Sequence, residues 1–597
     1  MPYPFAVQRK LRILGADTAA LPPRGAGRGP VALLSLHSHR DRSFLDDVVL
    51  HELSGELRAA GLENELVVAC VTDEDGPELP RLAEGLREFR LIVFERVWSV
   101  AILERLAAAL PEAGWVQLRG EHVLRGAPAL VECAPADLVA VVAHLLDREV
   151  PSELPRARPN LSPRYVADED RPARPSYPIQ GSAGCPYGAD ARENHLYEGV
   201  ALPSGQGRGC AFCTTGNAYE HLRPADALAS TLDQLRYVRG AAPSLDVLVL
   251  RDQNPFGYLT ELVESAEQEQ LGPFTLLIES RADWWLQNAR RFERALAAAQ
   301  RSSIRLAPFL VGIESFAQAE LDRFNKGISA ETNVRFLLQL RAWAEAFAPA
   351  MDLSHGAFGF ILFTPWTSLT DLRENLEAIE RTRLHELRGR ILLSRARLYP
   401  DTALYYLAER DGLLVERFGS DAEDNSARYG YLPARPWRFA DPVVARLSEL
   451  AAELLEARGY RDELAVFRAL LDVAERDPAA LARATVEARL GQDDRRRALA
   501  SLLVRAPELP VALPLFDAEL RDLRVDGEAV VLEIARGTAV GRVRLTGPSA
   551  ARVEPGADPT LAAVLPQIAG RLARSLTEAR WGAARPLVRA LGTRAQS

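Results

Sequence analysis

Twice in this chain short apolar runs alternate with amphipathic helical stretches, and no other feature restricts the fold as much. Over residues 30–147 the runs are PVALLSLHS, NELVVACVTD, FRLIVFERV and GWVQLRGEHV, separated by stretches such as DDVVLHELSGELRAAG. Strands about thirty residues apart with helices between them pair in parallel, and both faces of the sheet are covered. The expectation for residues 1–149 is an open α/β domain. From Val150 to Pro178 the chain reads VPSELPRARPNLSPRYVADEDRPARPSYP, where repeated proline removes backbone donors and favours extended conformations. Residues 150–178 are predicted as a linker.

A second series follows over residues 179–435. SYPIQGSAG, LDVLVLRDQNP, FTLLIESRAD, RLAPFLVGIES, GAFGFILFTPW and RGRILLSRARLYP each adjoin a helical pattern. One helix carries Leu228, Leu232, Leu235 and Val238 on one face, another Phe336, Leu340, Trp343 and Phe347. Ser368 and Asp371 form a capping-box start for a third. Six such units predict a partial or full β/α barrel, with chemistry at the C-terminal ends of its strands. Residues 436–597 are predicted as a mainly helical domain, from LSELAAELLEARGY, ELAVFRALLDVAE and RRRALASLLVRA. A small hairpin of LRVDGEAVVLEIA and GRVRLTG is expected there, turning at Asp526-Gly527.

The chain has 597 residues, too many for one hydrophobic core. Its formal charge is −9, without a long Lys/Arg run, which disfavours nucleic acid as a partner. The first twenty residues lack the pattern of a secretory leader, and no apolar run approaches the ~18 residues that span a bilayer. A cytoplasmic protein without a membrane partner is expected. Five cysteines without a leader argue against a disulfide framework and leave metal binding or burial.

Three of those cysteines share one stretch, GCPYGADARENHLYEGVALPSGQGRGCAFCTTG. Cys210 and Cys213 form a C-x-x-C pair, and Cys185 stands apart after a predicted strand. Three thiolates on a [4Fe-4S] cluster leave one iron open for a substrate or cofactor. Zinc is the rival occupant; it wants four ligands, and the nearest candidates for the fourth are His195 and His221. In the plainest reading Cys185 is unrelated and the pair is fortuitous.

GSAGCPY and GCAFCTTGN resemble the two ends of the signature of radical S-adenosylmethionine (SAM) enzymes. That signature is C-x3-C-x2-C with an aromatic residue before the last cysteine, here Phe212. The first spacing is broken: Ala189 falls where the second cysteine ordinarily stands, and an insertion, residues 186–209, precedes Cys210. VGIESFAQAELDRFNKGISAETNVRFL resembles the fourth or fifth unit of the branch of that family with an N-terminal cobalamin-binding domain. FILFTPWTSLTDLRENLEAI resembles its next strand, turn and helix, and SRARLYPDTALYYLAERDGLL the segment that closes the barrel. Together these blocks cover roughly residues 178–415.

The resemblance implies a Rossmann-like open sheet, a central (β/α)6-type partial TIM barrel and a helical accessory domain. It implies that Cys185, Cys210 and Cys213 hold the cluster and that SAM chelates the open iron. Asp252, Gln253 and Asn254, in RDQNP, would contact SAM's methionyl amino group, although the usual Gly-Gly-Glu is absent. Arg281, in ESRAD, would pair with the SAM carboxylate, and Glu314, in GIES, would accept from the ribose or amino group. The alternative is that Arg281 and Glu314 pair with each other inside the barrel.

VWSVAI and GWVQLRGEHVLRG stand in the places of the fourth and fifth strands of the cobalamin-binding domain. The D-x-H-x-x-G motif is missing, the glycine-rich turn is reduced to Arg119-Gly120, and His37 and His39 do not match the motif's order. Cobalamin therefore stays open. The implied reaction is reductive cleavage of SAM to methionine and a 5'-deoxyadenosyl radical that abstracts a substrate hydrogen, with methylation added if cobalamin binds. A small-molecule or peptide substrate and an electron donor such as flavodoxin or ferredoxin follow as partners. The insertion is expected to help shape the substrate entrance. The rival from a different class is a non-catalytic metal-binding or scaffold protein that retains a degenerate barrel.

Overall fold

All seven residues of β1, Val31–His37, are buried, which is what an apolar run in the middle of a parallel sheet requires. Side chains alternate across the pleat: Val31 and Leu33 enter one core, Ala32, Leu34 and Leu36 the other. The first core is closed by helices Val48–Ala59 and Leu138–Leu145, the second by Glu78–Leu86 and Val100–Ala109. Each fully buried Leu or Val contributes about 1.5–3 kcal/mol. The protein is described by a computed structural model over residues 30–37, 48–71, 76–95, 100–118, 131–151, 157–167, 170–171, 175–213, 215, 222–387, 391–399, 402–415, 437–458, 463–481, 519–526, 529–536, 538–547, 550–562 and 564–575. The chain divides into two compact units, residues 1–445 and 446–597.

β1 pairs in parallel with β2 (Asn64–Cys70) on one side and β3 (Leu91–Phe94) on the other. β4 (Gly114–Leu118) and β5 (Val131–Cys133) extend the β3 side, and β6 (Arg164–Tyr165) adds to β2. The order β5-β4-β3-β1-β2-β6 reverses direction between β1 and β3, the topological switch point of a doubly wound sheet. VWSVAI is not a strand: from Val100 it begins a helix, and residues 97–99 lie outside the described residues. GWVQLRGEHVLRG supplies the fourth strand, not the fifth, and its part from Arg119 onward is also outside them.

The proline-rich segment does more than link. It contributes β6 to the first sheet and starts the second with β7 (Ser176–Ile179). Between them Asn160 receives the imidazole Nδ1 of His51 on its carbonyl, and Arg158 forms a bidentate ion pair with Asp233 (2.8 and 3.0 Å). The hydroxyl of Tyr237 donates to the Pro159 carbonyl (2.7 Å). Gly55 is the contact point on the helix side, because a Cβ there would overlap the Arg158 carbonyl.

β7, β8 (Val247–Leu250), β9 (Phe274–Arg281), β10 (Ile304–Glu314) and β11 (Phe358–Phe360) form a second parallel sheet in chain order. Outside it Phe256, Trp285, Phe292 and Trp343 stack edge to face or tilted, with centroids 4.6–6.4 Å apart. Leu232, Leu235, Val238, Phe336, Leu340 and Trp343 are buried as the periodicity predicts, and Ser368 and Asp371 form the capping box. The sixth expected strand does not form among the described residues. RGRILLSRARLYP provides the turn Ile391–Leu393 and a single parallel bridge from Arg395 to Phe363. At that bridge Phe363 donates its N–H to the Ser394 carbonyl (3.0 Å) and accepts from the Ala396 N–H (2.7 Å), while Leu362 donates to both the carbonyl and the hydroxyl of Ser394 (3.2 and 3.1 Å).

In the second unit the expected hairpin is larger, an antiparallel meander of β12 (Glu519–Asp526), β13 (Ala529–Arg536), β14 (Ala539–Gly547) and β15 (Ala550–Val553). Helix Leu565–Ser575 packs on β14 and β15. Helices Pro442–Arg458 and Glu463–Arg476 form as predicted, whereas RRRALASLLVRA and Gly527 lie outside the described residues. Among the described residues no helix is long and apolar enough to cross a membrane.

Helix propensity alone says that Gly55→Ala stabilises by about 0.5–1 kcal/mol. The close approach of Arg158 reverses the sign, so this variant is expected to lose about 1–3 kcal/mol. A thermal melt checks it: a lowered midpoint and faster proteolysis within 150–178 are expected, and a raised midpoint contradicts the packing described.

Candidate metal and cofactor site

The loop that carries the cysteines is anchored where it leaves β7. Asp252, buried at the end of β8, accepts from the N–H groups of Gly181 (2.8 Å) and Ser182 (2.7 Å) and from the Tyr258 hydroxyl (2.6 Å). The carboxylate thereby fixes the backbone three residues before Cys185. Cys185 itself donates its N–H to the Thr215 carbonyl (3.2 Å), which draws the two ends of the stretch together.

Residues 186–209 leave this loop and return to the same point. Asp190 and Arg208 form an antiparallel bridge, flanked by hydrogen bonds from Ala191 N–H to the Gly207 carbonyl and from Gly209 N–H to the Ala189 carbonyl, both 2.8 Å. Ala189, where the motif lacks a cysteine, is thus held against the residue that precedes Cys210. Beyond this neck lie two 3-10 turns, Ala191–Glu193 and His195–Tyr197, capped by the side chains of Asp190 and Asn194. Ala191 and Tyr197 enter an apolar cluster with Phe324, Leu398, Leu404, Leu407 and Trp437. His195, the candidate fourth zinc ligand, is exposed, and His221 and His39 lie outside the described residues. His37, at the end of β1, is buried and hydrogen-bonded to Ser35 (2.9 Å).

The three thiols share one environment. Burial pushes the Cys185 thiol up and the Cys210 thiol up to about 11, with Arg281 and Lys326 pulling both down and Cys213 repelling both. A metal centre takes up cysteines as thiolates, so its binding there releases protons. Among the described residues no three His, Cys, Asp or Glu side chains close on a single metal ion. A cluster spreads its thiolates over separate irons, so its ligands stand further apart than those of zinc.

Arg281 and Glu314 do not pair with each other. Arg281 is buried at the end of β9, bonded through Nε to Asp283 (3.0 Å) and through Nη2 to the Lys326 carbonyl (2.7 Å). Its Nη1 faces the Cys210 sulfur at 3.6 Å, and its guanidinium lies 3.9 Å from the Tyr187 ring centroid. Glu314 pairs instead with Lys326 (3.2 Å), both buried. A Cβ on Gly359 would lie 2.9 and 3.0 Å from the two Glu314 carboxylate oxygens, so the pair rests on a floor that only glycine leaves open. Phe212 packs edge-on against Phe324 (5.3 Å), with the Lys326 ammonium 5.6 Å from its ring.

Gln253 and Asn254 line a cleft of about 140 Å³ beside the cysteine loop, with Ser182, Gly184 and Pro186. Gln253 also donates to Glu279 (2.8 Å). The site residues that sequence reasoning missed are Tyr187, Asn325 and Lys326. A signal was present in FNKG: Asn325 and Gly327 adopt φ of 50° and 64°, the left-handed conformation that Asn and Gly tolerate.

No protein-family model and no curated protein sequence matches the chain. Solved structures do. The cobalamin-dependent S-adenosylmethionine radical enzyme OxsB, with aqua-cobalamin and S-adenosylmethionine bound, is 14% identical with a TM-score of 0.48, over 81% of this chain and 73% of that one. The radical S-adenosylmethionine methyltransferase TsrM from Kitasatospora setae, with tryptophan substrate and a SAM analogue, is 12% identical with a TM-score of 0.41, over 68% of this chain and 85% of that one. These structural neighbours are cobalamin-dependent radical SAM enzymes.

Asp252→Ala leaves the N–H groups of Gly181 and Ser182 without their acceptor, at a cost of about 1–3 kcal/mol. The midpoint of urea unfolding is expected to fall, and to fall less for Tyr258→Phe. An unchanged midpoint for Asp252→Ala contradicts the anchoring role.

Proposed function

We propose that this chain is a radical SAM enzyme. The observation that carries the reading is the pinched neck at Ala189 and Gly209, which returns Cys210 and Cys213 to the loop of Cys185 at the carboxyl end of a parallel sheet. The residues fit a [4Fe-4S] cluster: three thiols, two cations beside them, and no fourth cysteine in the loop. Cys185, Cys210 and Cys213 would hold it, with SAM at the iron they leave open. Bound there, the two cofactors supply the reductive cleavage that starts radical chemistry on a substrate.

The chain's own residues bind, orient and shield. Arg281 and Lys326 offset the negative charge that three thiolates bring. Gln253 and Asn254, on the cleft beside Gly184 and Pro186, are the proposed contacts to the SAM amino group, and Asp252 serves them by fixing Gly181 and Ser182. Arg281 retains Nη1 on the cysteine side and is proposed to face the SAM carboxylate as well. Glu314, held over Gly359, is the proposed acceptor for the SAM ribose or amino group. Phe212 and Phe324 shield one side of the cysteine loop from water. The five-stranded sheet with its bridge at Arg395 is read as the partial barrel, and a small molecule or peptide as the substrate.

A second ligand is favoured by the reversal of strand order between β1 and β3, since doubly wound sheets bind at that point. Cobalamin is the ligand proposed there, with methylation as the reaction it would add. A flavodoxin or ferredoxin is proposed as electron donor.

Anaerobic purification and reconstitution test the reading. About four irons per chain are expected, with a visible cluster absorption that Cys213→Ala removes. Methionine should form from SAM on reduction, and corrinoid analysis reports on the N-terminal sheet. Zinc in place of iron, with SAM left intact, would overturn the proposal in favour of a non-catalytic scaffold.

A further inference from the structure

We propose that Asn325 is a positioning residue that rebuilds the interrupted cysteine motif by clasping the neck of the insertion. In an uninterrupted motif the short spacing sets the distance between the first two thiols. Here the chain makes a long excursion between them, and closing it costs conformational entropy that grows with its length. Contacts at the neck must supply what the spacing no longer does.

Asn325 makes those contacts. Its Nδ2 donates to the Gly209 carbonyl (3.0 Å) and to the Ala189 carbonyl (3.3 Å), so one amide group bridges both arms of the neck. Its Oδ1 accepts from Asn194 inside the insertion (3.3 Å), and its own carbonyl accepts from the Tyr187 hydroxyl (2.9 Å). The residue is buried.

Four more carbonyls in the same row receive donors. Asp322 accepts from Asn194 Nδ2 (2.8 Å), Arg323 from the Tyr197 hydroxyl (2.6 Å), Phe324 from Ala211 N–H (2.8 Å) and Lys326 from Arg281 (2.7 Å). Four consecutive carbonyls, 322 to 325, therefore grip the split loop, and the fifth grips the arginine beside Cys210. Only Asn325 adds a side chain that reaches both arms.

The consequence for cluster assembly rests on the radical SAM reading; the clasp itself does not. The test therefore begins with metal-free protein carrying Cys213→Ala. A short bifunctional maleimide is applied, and tryptic mass spectrometry reads the link between Cys185 and Cys210. Asn325→Gly keeps the left-handed backbone while removing the amide, and is expected to lower the yield of that link about tenfold. In a Cys185→Ala background the link between Cys210 and Cys213 is local to one turn and should not change, which separates lost positioning from general unfolding.

Asn325→Asp also tolerates the backbone conformation and sets a carboxylate against two carbonyls, so the same loss is expected. If the glycine variant does not fold, the aspartate variant decides by the same yields. With Cys213 restored, either variant should retain less iron than the wild type. An unchanged Cys185–Cys210 yield, or equal loss of both links, overturns the proposal. If the clasp variants lose the link but the wild type takes up no iron, the positioning role stands and the radical SAM reading fails.

Discussion

The row of carbonyls from Asp322 to Lys326 is the contact on which the rest of the site depends. It spans the last two residues of helix Gln318–Arg323 and the turn that follows, and four of its five carbonyls accept a donor from the loop after β7 or from within the insertion. One loop thereby holds another in place. The row can face the cysteine loop because Asn325 and Gly327 take left-handed backbone, and a side chain on Gly327 would collide with the Tyr187 hydroxyl. The same turn aims the Lys326 ammonium at Glu314 and its carbonyl at Arg281, so charge and geometry at the thiols share one origin.

Strand β10 shows a second cost accepted near the site. Phe309 lies opposite Glu279 and Gly312 opposite Arg281, so three steps on β10 span two on β9 and one residue is extra. That residue, Leu310, has φ 46° and is 54% exposed, in the middle of a central strand. Each such residue costs about 1–3 kcal/mol, and bulges of this kind re-aim side chains beside functional sites. The bulge resets the pleat so that Gly312, like Glu314, approaches Lys326. The strain at Leu310 and at Glu314, φ 63°, is offset by the packing of the strand between its two neighbours.

Much of the architecture was legible because burial on both faces leaves continuous apolar runs, as in β1 and β8. Elements went unread where that signal fails. β5 is three residues long and β6 two, too short for a pattern, and the sixth expected strand is reduced to a 3-10 turn and one bridge. At the site, residue type singled out Cys185, Cys210 and Cys213, and the family resemblance added Arg281 and Glu314. Partner choice was not readable, since whether Glu314 meets Arg281 or Lys326 depends on a turn twelve residues further on. For Asn325 the sequence FNKG signals a left-handed turn but not what the side chain bridges, since Ala189 and Gly209 offer it only carbonyls, which carry no sequence signature.

The central claim is that three thiols of a split motif meet around one cluster and leave one iron open. Mössbauer spectroscopy of the iron-57-loaded protein, with and without SAM, addresses it directly. The account predicts one iron distinct from the other three, whose parameters shift when SAM is added. Four iron sites that ignore SAM, or mononuclear iron alone, would contradict it.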